Sequence, residues 1–541
     1  MKKINLKPLM AATLLSVAIS SCTDLDVNVN SKYTEYPDSE IAIDAKISGV
    51  LYEFRGPLGR RYSEAQALSS DEAMALTFDG GWLDSYNYVH ASHHLSNSAD
   101  AHLDWYGVLS GGITKCNRLI VELGGDKADP AIVASIRAAR AFYHFILMDS
   151  YANIPILDHA LAEDEAAVQS TRPEVARWIE SELLAIKDNL SKEVNAATYG
   201  KPTYWMANAL LAKLYINWAV YTSEDVAQYD PNTTRNEKLD ACVAVCDEII
   251  QSGKFDLTDG FRKKFFADNG PHIKDFIYAM PYDRETQQGN TYARFRIFKA
   301  GDTDGEGGPG LFGVVTPQGF GGIFAMTPEF ANLFSLEGDE RNDAVLRDQV
   351  YIYDPASYAP TTTPYVYKGQ PVVMSKNPAV SNDGTNNVGD NFKGWCQGWR
   401  SNKFYMDLQT TAGQSRNQSN DIPIFRYADI LLQKAEAITR GATATYGDTP
   451  KSLFNQIRNY VHAPLIDKDP TLQDLIDERG REFFDENWRR NDLIRFGMFE
   501  NDWANKNIIN PDAKTQKFRR IFPIHKDIME QNTNWKQNPG Y

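Results

Sequence analysis

Two stretches about 220 residues apart carry the same pattern: ANALLAKLYINWAVY, beginning at Ala207, and RYADILLQKAEAITRG, beginning at Arg426 and followed by LFNQIRNYV. Small alanines alternate with leucines and large rings, a pattern that suits the packed face of an α-helix. A face of that kind lets a second helix approach closely. The neighbouring rings then fill the groove between the two, so the chain is constrained to build close-packed helix pairs.

From residue 41 to about 255 the period stays helical. Ile132 to Tyr151 (IVASIRAARAFYHFILMDSY) is one such run, Pro173 after Thr171 opens another, and Thr203 to Tyr221 and Leu239 to Gln251 give two more. The small-against-large pairs resemble tetratricopeptide packing, and because they are degenerate and interrupted the expected fold is mostly α, a handful of helix pairs and not a regular solenoid. Between about 256 and 421 Gly, Pro, Asn and Thr accumulate and helical periodicity fades, whereas 422–541 is helical again. The middle stretch is also rich in rings: Tyr292, Phe295, Phe298, Phe312, Phe320, Phe324, Trp395 and Trp399. Such a segment does not read as disordered linker, and it is expected to carry a binding face on the helical scaffold.

The first 21 residues read as an address. Lys2, Lys3 and Lys7 precede an uncharged stretch from Pro8 to Ser21 that is too short to span a bilayer and ends in small residues. Ile19-Ser20-Ser21-Cys22 resembles a bacterial lipobox, which makes Cys22 the acylated first residue of a mature chain tethered through residues 22–40 to outer-membrane lipid. Loss of the three lysines leaves 53 basic against 71 acidic side chains, a charge of −18. That balance argues against nucleic acid as a partner. Cys116, Cys242, Cys246 and Cys396 are too few for a disulfide framework. Cys242 and Cys246, one turn apart in an apolar helix pattern, read as buried thiols.

Four segments then resemble the SusD/RagB family of outer-membrane glycan-binding lipoproteins. They are Arg140-Ala141-Phe142-Tyr143 running to Tyr151-Ala152-Asn153-Ile154-Pro155; Arg426-Tyr427-Ala428-Asp429 through Ala435-Glu436-Ala437; Glu478-Arg479-Gly480-Arg481-Glu482-Phe483 to Arg489-Arg490-Asn491-Asp492; and Phe522-Pro523-Ile524-His525 with Gln537-Asn538-Pro539-Gly540-Tyr541. Asn153 and Ala152 depart from the family's Gly region and His525 from a frequent Pro. The resemblance implies a non-catalytic surface protein that holds an oligosaccharide over a SusC-like TonB-dependent transporter. By their own spacing the charged motif residues are suited to ion pairing along the last helix, a scaffold role.

Sugar rings need flat apolar platforms flanked by planar polar groups. The run Asp79-Gly80-Gly81-Trp82-Leu83-Asp84-Ser85-Tyr86-Asn87 offers Trp82, Tyr86 and Asn87, and by the resemblance Trp82 stands where relatives carry a stacking Trp. Phe320 stands where a second family aromatic sits. Tyr292, Arg294, Trp395 and Trp399 complete the candidates. His90, His93, His94 and His102 fall within thirteen residues but match no metal motif, and they read as a polar surface helix or loop. Asp302, Asp304 and Glu306 alternate like the start of a calcium loop, yet Gly313 stands where an EF-hand needs its Glu; calcium is the one ion this pattern suggests, and no cofactor is expected. A surface glycoside hydrolase and a protein-binding helical scaffold are the alternative readings.

Overall fold

Asp129, Thr171, Thr203, Thr449 and Thr471 each start a helix, as side-chain oxygens that accept backbone N–H groups of the first turn. The helices they open are Pro130–Tyr151, Arg172–Ile186, Tyr204–Ile216, Pro450–Tyr460 and Leu472–Phe483, and at Thr171, Thr449 and Thr471 the cap is reciprocal. The computed structural model describes residues 40–80, 87–298, 310–314, 321–409 and 417–541, with Ser48–Tyr541 forming one compact unit. The architecture is mostly α. Neighbouring helices pack in pairs: Trp105–Glu122 on Pro130–Tyr151, that helix on Arg172–Ile186, Tyr204–Ile216 on Leu239–Gln251, and Tyr427–Thr439 on Pro450–Tyr460.

The alanine pattern does what its spacing demands. Ala207, Ala209 and Ala212 are fully buried, and the Cys242 thiol of the facing helix reaches the Ala212 carbonyl at 3.6 Å. Leu239–Gln251 also packs on Tyr427–Thr439, so the two halves of the pattern share one scaffold across the intervening chain. Ala428, Leu431, Leu432, Ala435, Leu453, Phe454, Ile457 and Leu475 form the core there. All four described cysteines are buried and free. Pro130–Tyr151 is long and apolar enough by composition to cross a membrane, but it is a core helix of this unit.

The antiparallel ribbon of Phe276–Met280 with Ile422–Arg426 is the point where residues 281–421 leave and rejoin the scaffold. Beyond it the strands are short, two to five residues each, and the rings supply the core. Tyr292, Phe295, Phe298, Phe312, Phe324 and Trp399 are all buried. A segment this long needs a core of its own, and apolar rings are the residues that it has for one.

The motif region departs from the single last helix. Leu472–Phe483 ends, Asp485 (φ 60°) and Asn487 (φ 70°) turn the chain in the left-handed region, and Arg489–Arg495 is a separate helix. The charged residues therefore pair mostly across space. Arg479 bridges Asp429 and Asp492, Arg495 holds Glu436 and Asp492, and Arg426 contacts Asp275, Glu482 and Glu486, all in the interior. The terminal motif closes on the first one: Asn538 Nδ2 donates to the carbonyls of Tyr151 (3.0 Å) and Phe522 (2.8 Å).

Candidate functional site

The strand Ala73–Ala75, buried throughout, pairs antiparallel with Phe324–Met326. Past the strands Leu76 N donates to Ile323 O at 2.8 Å, and Thr77 bridges to Asn387, with Val388 N donating to Thr77 O at 3.0 Å. The chain then reaches the surface at Asp79, whose φ of 47° turns it outward. Asp79 N donates to Asn387 Oδ1 (2.9 Å), and its carboxylate accepts Asp390 N (2.9 Å) and Asn387 Nδ2 (3.1 Å). The Asp390 N–H, followed by the Asn387 amide, holds the Asp79 carboxyl below its usual range.

Asp390 carries this clamp to a ring. Its Oδ1 accepts the indole N–H of Trp395 at 2.8 Å. Trp395 ends the short helix Phe392–Trp395, capped by Asn391, and is half-buried. Tyr367 stands edge-on to it, with centroids 6.0 Å apart, and the Lys368 ammonium lies 4.7 Å from its centroid. Lys368 and Gly369, both at positive φ, form the two-residue tip of the hairpin in which Val366 opposes Pro371 and Tyr367 opposes Gln370. Gly394 is obligatory here: a Cβ would stand 2.1 Å from the Gly389 carbonyl oxygen. Gly394→Ala is expected to displace the 388–395 loop and alter the near-UV circular dichroism while leaving the far-UV helical signal intact. An unchanged near-UV spectrum would contradict this packing.

Three stems thus converge: those leading to residues 81–86 and 315–320, and the 386–395 loop itself. Trp82, Tyr86, Phe320 and Cys22 lie outside the described residues, as do Asp302, Asp304 and Glu306. Asn87, half-buried, opens the short helix Asn87–Ser92 with its amide nitrogen 2.9 Å from His102 Nδ1. Two expected platforms are not surfaces. Tyr292 is fully buried, with its hydroxyl accepting from Asn487 Nδ2 (2.9 Å) and the Arg296 guanidinium 4.1 Å from its centroid. Trp399 is buried next to Arg347 and Lys376. Arg294 falls on the short helix Tyr292–Arg296.

The histidines are also corrected. His93 and His94 are buried, His94 stacked on Phe499 with centroids 4.5 Å apart and Nε2 3.0 Å from Ser69 O. Burial pushes His93 down to about 4 and His94 well below its usual value, so both are neutral core residues. Among the described residues no group of three or more His, Cys, Asp or Glu side chains could hold a metal ion. Sequence reasoning missed the clamp of Asp79, Asn387 and Asp390, because its members meet across some 310 residues. The Lys368-Gly369 tip had a local signal, a Gly-containing dipeptide between apolar residues.

Comparison with known proteins places this geometry. Residues 274–541 match the model of the SusD family, and residues 25–216 match a model described as starch-binding associating with outer membrane. The starch-binding protein SusD of Bacteroides thetaiotaomicron is 25% identical over 440 residues, covering 75% of this chain and 72% of that protein. Among solved structures, surface glycan-binding protein A of the same organism, in complex with laminarihexaose, superposes with a TM-score of 0.65 at 17% identity over 92% of this chain and 99% of that one. A SusD homologue from that organism gives 0.69 at 16% identity, over 94% and 98%. The chain belongs to the SusD family, whose members associate with the outer membrane.

Proposed function

We propose that the protein binds oligosaccharide at the cell surface, without catalysis, and passes it to a SusC-like TonB-dependent transporter, anchored in the outer membrane by acylated Cys22. The observation that carries the reading is the meeting of the segments at Asp79, Ile323 and Asn387, which holds the half-buried ring of Trp395 through Asp390. In this reading Trp82 and Trp395 are stacking platforms, Phe320 and Tyr86 add apolar surface, and Asn87 is a polar flank. The Lys368 ammonium over Trp395 contributes about 0.5–1 kcal/mol at an exposed site, little enough for a sugar face to displace it.

Half-covering a Trp ring is worth about 1–2 kcal/mol by area. A few such stacks, less the association cost, give affinities of roughly micromolar to millimolar, suited to capture and release. Trp82→Ala and Trp395→Ala are each expected to weaken oligosaccharide binding by about 5- to 30-fold in calorimetric titration, with the far-UV helical signal retained. Wild-type affinity in the double variant would refute the site. Absence of any glycan ligand on an array probed with the 23–541 chain would refute the function, and appearance of shortened products would restore the hydrolase reading. One acidic pair, Glu72 and Asp485, is sealed inside: Glu72 Oε1 accepts Asp485 N at 2.6 Å, and both residues are buried.

A further inference from the structure

Of the aromatic rings among the described residues, only two stand well out from the surface: Tyr446, at 70% exposure, and Tyr351, at 38%. Tyr351 is the one beside a cleft. The strand Tyr351–Tyr353 pairs antiparallel with Pro360–Pro364, Tyr351 opposite Pro364. Inward-facing Val350, Tyr365 and Val372 are joined by backbone hydrogen bonds of 2.8–3.0 Å and buried. The alternate positions, Tyr351, Val366 and Val373, face out. Beside this face lies a cleft of about 580 Å³, within the range of small-ligand sites.

We infer that this cleft is a second carbohydrate subsite, taking a neutral stretch of the same glycan chain; this inference rests on the function proposed above. The lining has the two elements that sugar recognition needs. Tyr351 supplies a ring face with few rotamers to freeze, and Asp343, Asp348, Gln349 and Thr362 supply planar acceptors and a hydroxyl around it. Gln349 spends its amide N–H on the carbonyls of Val350 and Val372, which fixes the side chain and leaves its oxygen as an acceptor. Asp343 and Asp348 outnumber the one cation of the lining, Arg347, which donates to the Phe334 carbonyl; the two carboxylates accept from paired hydroxyls and disfavour a uronate or sulfate.

The subsite is distinct from the Trp395 face, and the chain runs directly from the ribbon of Tyr351 and Pro364 into the hairpin that carries Lys368. Pro364, opposite Tyr351, is four residues from Lys368, roughly 13 Å of extended strand, and Lys368 lies over Trp395. A polysaccharide can therefore engage both places, whereas a ligand of two or three sugars fills only one. Two weak sites on one chain act through effective concentration, which raises the apparent affinity for the long ligand alone.

The test compares wild type, Tyr351→Ala, Tyr351→Phe and Trp82→Ala against a glycan found on the array, as polysaccharide and as trisaccharide. Tyr351→Ala is expected to weaken polysaccharide binding at least 10-fold and trisaccharide binding less than 2-fold, and Tyr351→Phe to keep most of the polysaccharide affinity. Trp82→Ala should weaken both. Equal binding of polysaccharide by wild type and Tyr351→Ala would overturn the second subsite and leave the first standing, as would restored binding only on addition of a protein partner. Failure of wild type to bind any glycan would instead overturn the function on which the inference rests.

Discussion

Arg426→Met lowers the stability of the protein by about 3–5 kcal/mol, the cost of removing one member of a fully buried ion network. Its guanidinium donates to Glu486 Oε2 (2.7 Å), Asp275 Oδ2 (2.6 Å) and Glu482 Oε1 (2.9 Å), and Arg426, Asp275, Glu482 and Glu486 are all at 2% side-chain exposure or less. Lys264, Arg341 and Lys403 contact the same three carboxylates, one each. Without Arg426 the three carboxylates stay out of water and lose the donors that tie them to one another. Arg426→Lys does not rescue, since one ammonium cannot serve three carboxylates at fork geometry. Urea unfolding followed by far-UV circular dichroism measures the loss, and Lys274→Met, at an exposed pair with Asp256, is the control, expected to cost less than about 1 kcal/mol. A loss below about 1 kcal/mol for Arg426→Met would show that the network is dispensable.

The pH dependence of stability is expected to carry opposed contributions. Paired carboxyls and the buried His93, His94 and His144, all held low, lose stability towards acid, the histidines below their unfolded value of about 6.5, whereas a buried carboxyl loses it as pH rises. On the acid side stand Asp275, Glu436 and Glu478. Burial alone would raise each, but Lys264 and Arg426 around Asp275, Arg495 and Arg440 around Glu436, and Arg341, Arg481 and Arg458 around Glu478 overcome it and hold all three at about 2. A carboxyl depressed in the folded state contributes stability that is present above its unfolded pKa of about 4, so these contributions vanish as pH drops from about 4 towards 2. On the other side Asp421 is pushed up to about 7 by burial, with Tyr282 N and the Tyr199 hydroxyl donating to it only partly compensating. A carboxyl raised in the folded state contributes stability that is present below about 4 and is lost as pH rises through about 7. Thermal midpoints taken from pH 2 to 8 follow the sum, and Asp421→Asn should remove the loss between about pH 4 and 7 relative to the wild type while leaving the acid limb in place. A difference between wild type and Asp421→Asn that stays constant from pH 4 to 8 would contradict the Asp421 assignment.

The helical scaffold was largely legible in the sequence. Thr171 with Glu174, Thr203 and the Leu239–Gln251 run mark helix boundaries that the structure keeps, because caps and periodicity are local properties. Opposite charges at the motif positions were legible as ion pairs, but their partners were not. Arg479 meets Asp429 and Asp492, fifty and thirteen residues away, and the left-handed turns at Asp485 and Asn487 divide what the charge spacing presents as one helix.

The candidate site was legible only as a set of residue types. Tyr292, Trp395 and Trp399 are all rings in Gly- and Pro-rich sequence, yet Tyr292 and Trp399 are core and Trp395 is half-exposed on a clamp built from Asp390 and Asp79. By itself the sequence determined the helix pairs, their caps, the pooled charge of the motif segments and the presence of a ring-rich insert, all fixed by contacts within a few turns of chain. Only the tertiary structure decided which rings face water and which carboxylates meet which cations. Whether a side chain is buried depends on what folds over it, and in this protein that cover comes from hundreds of residues away.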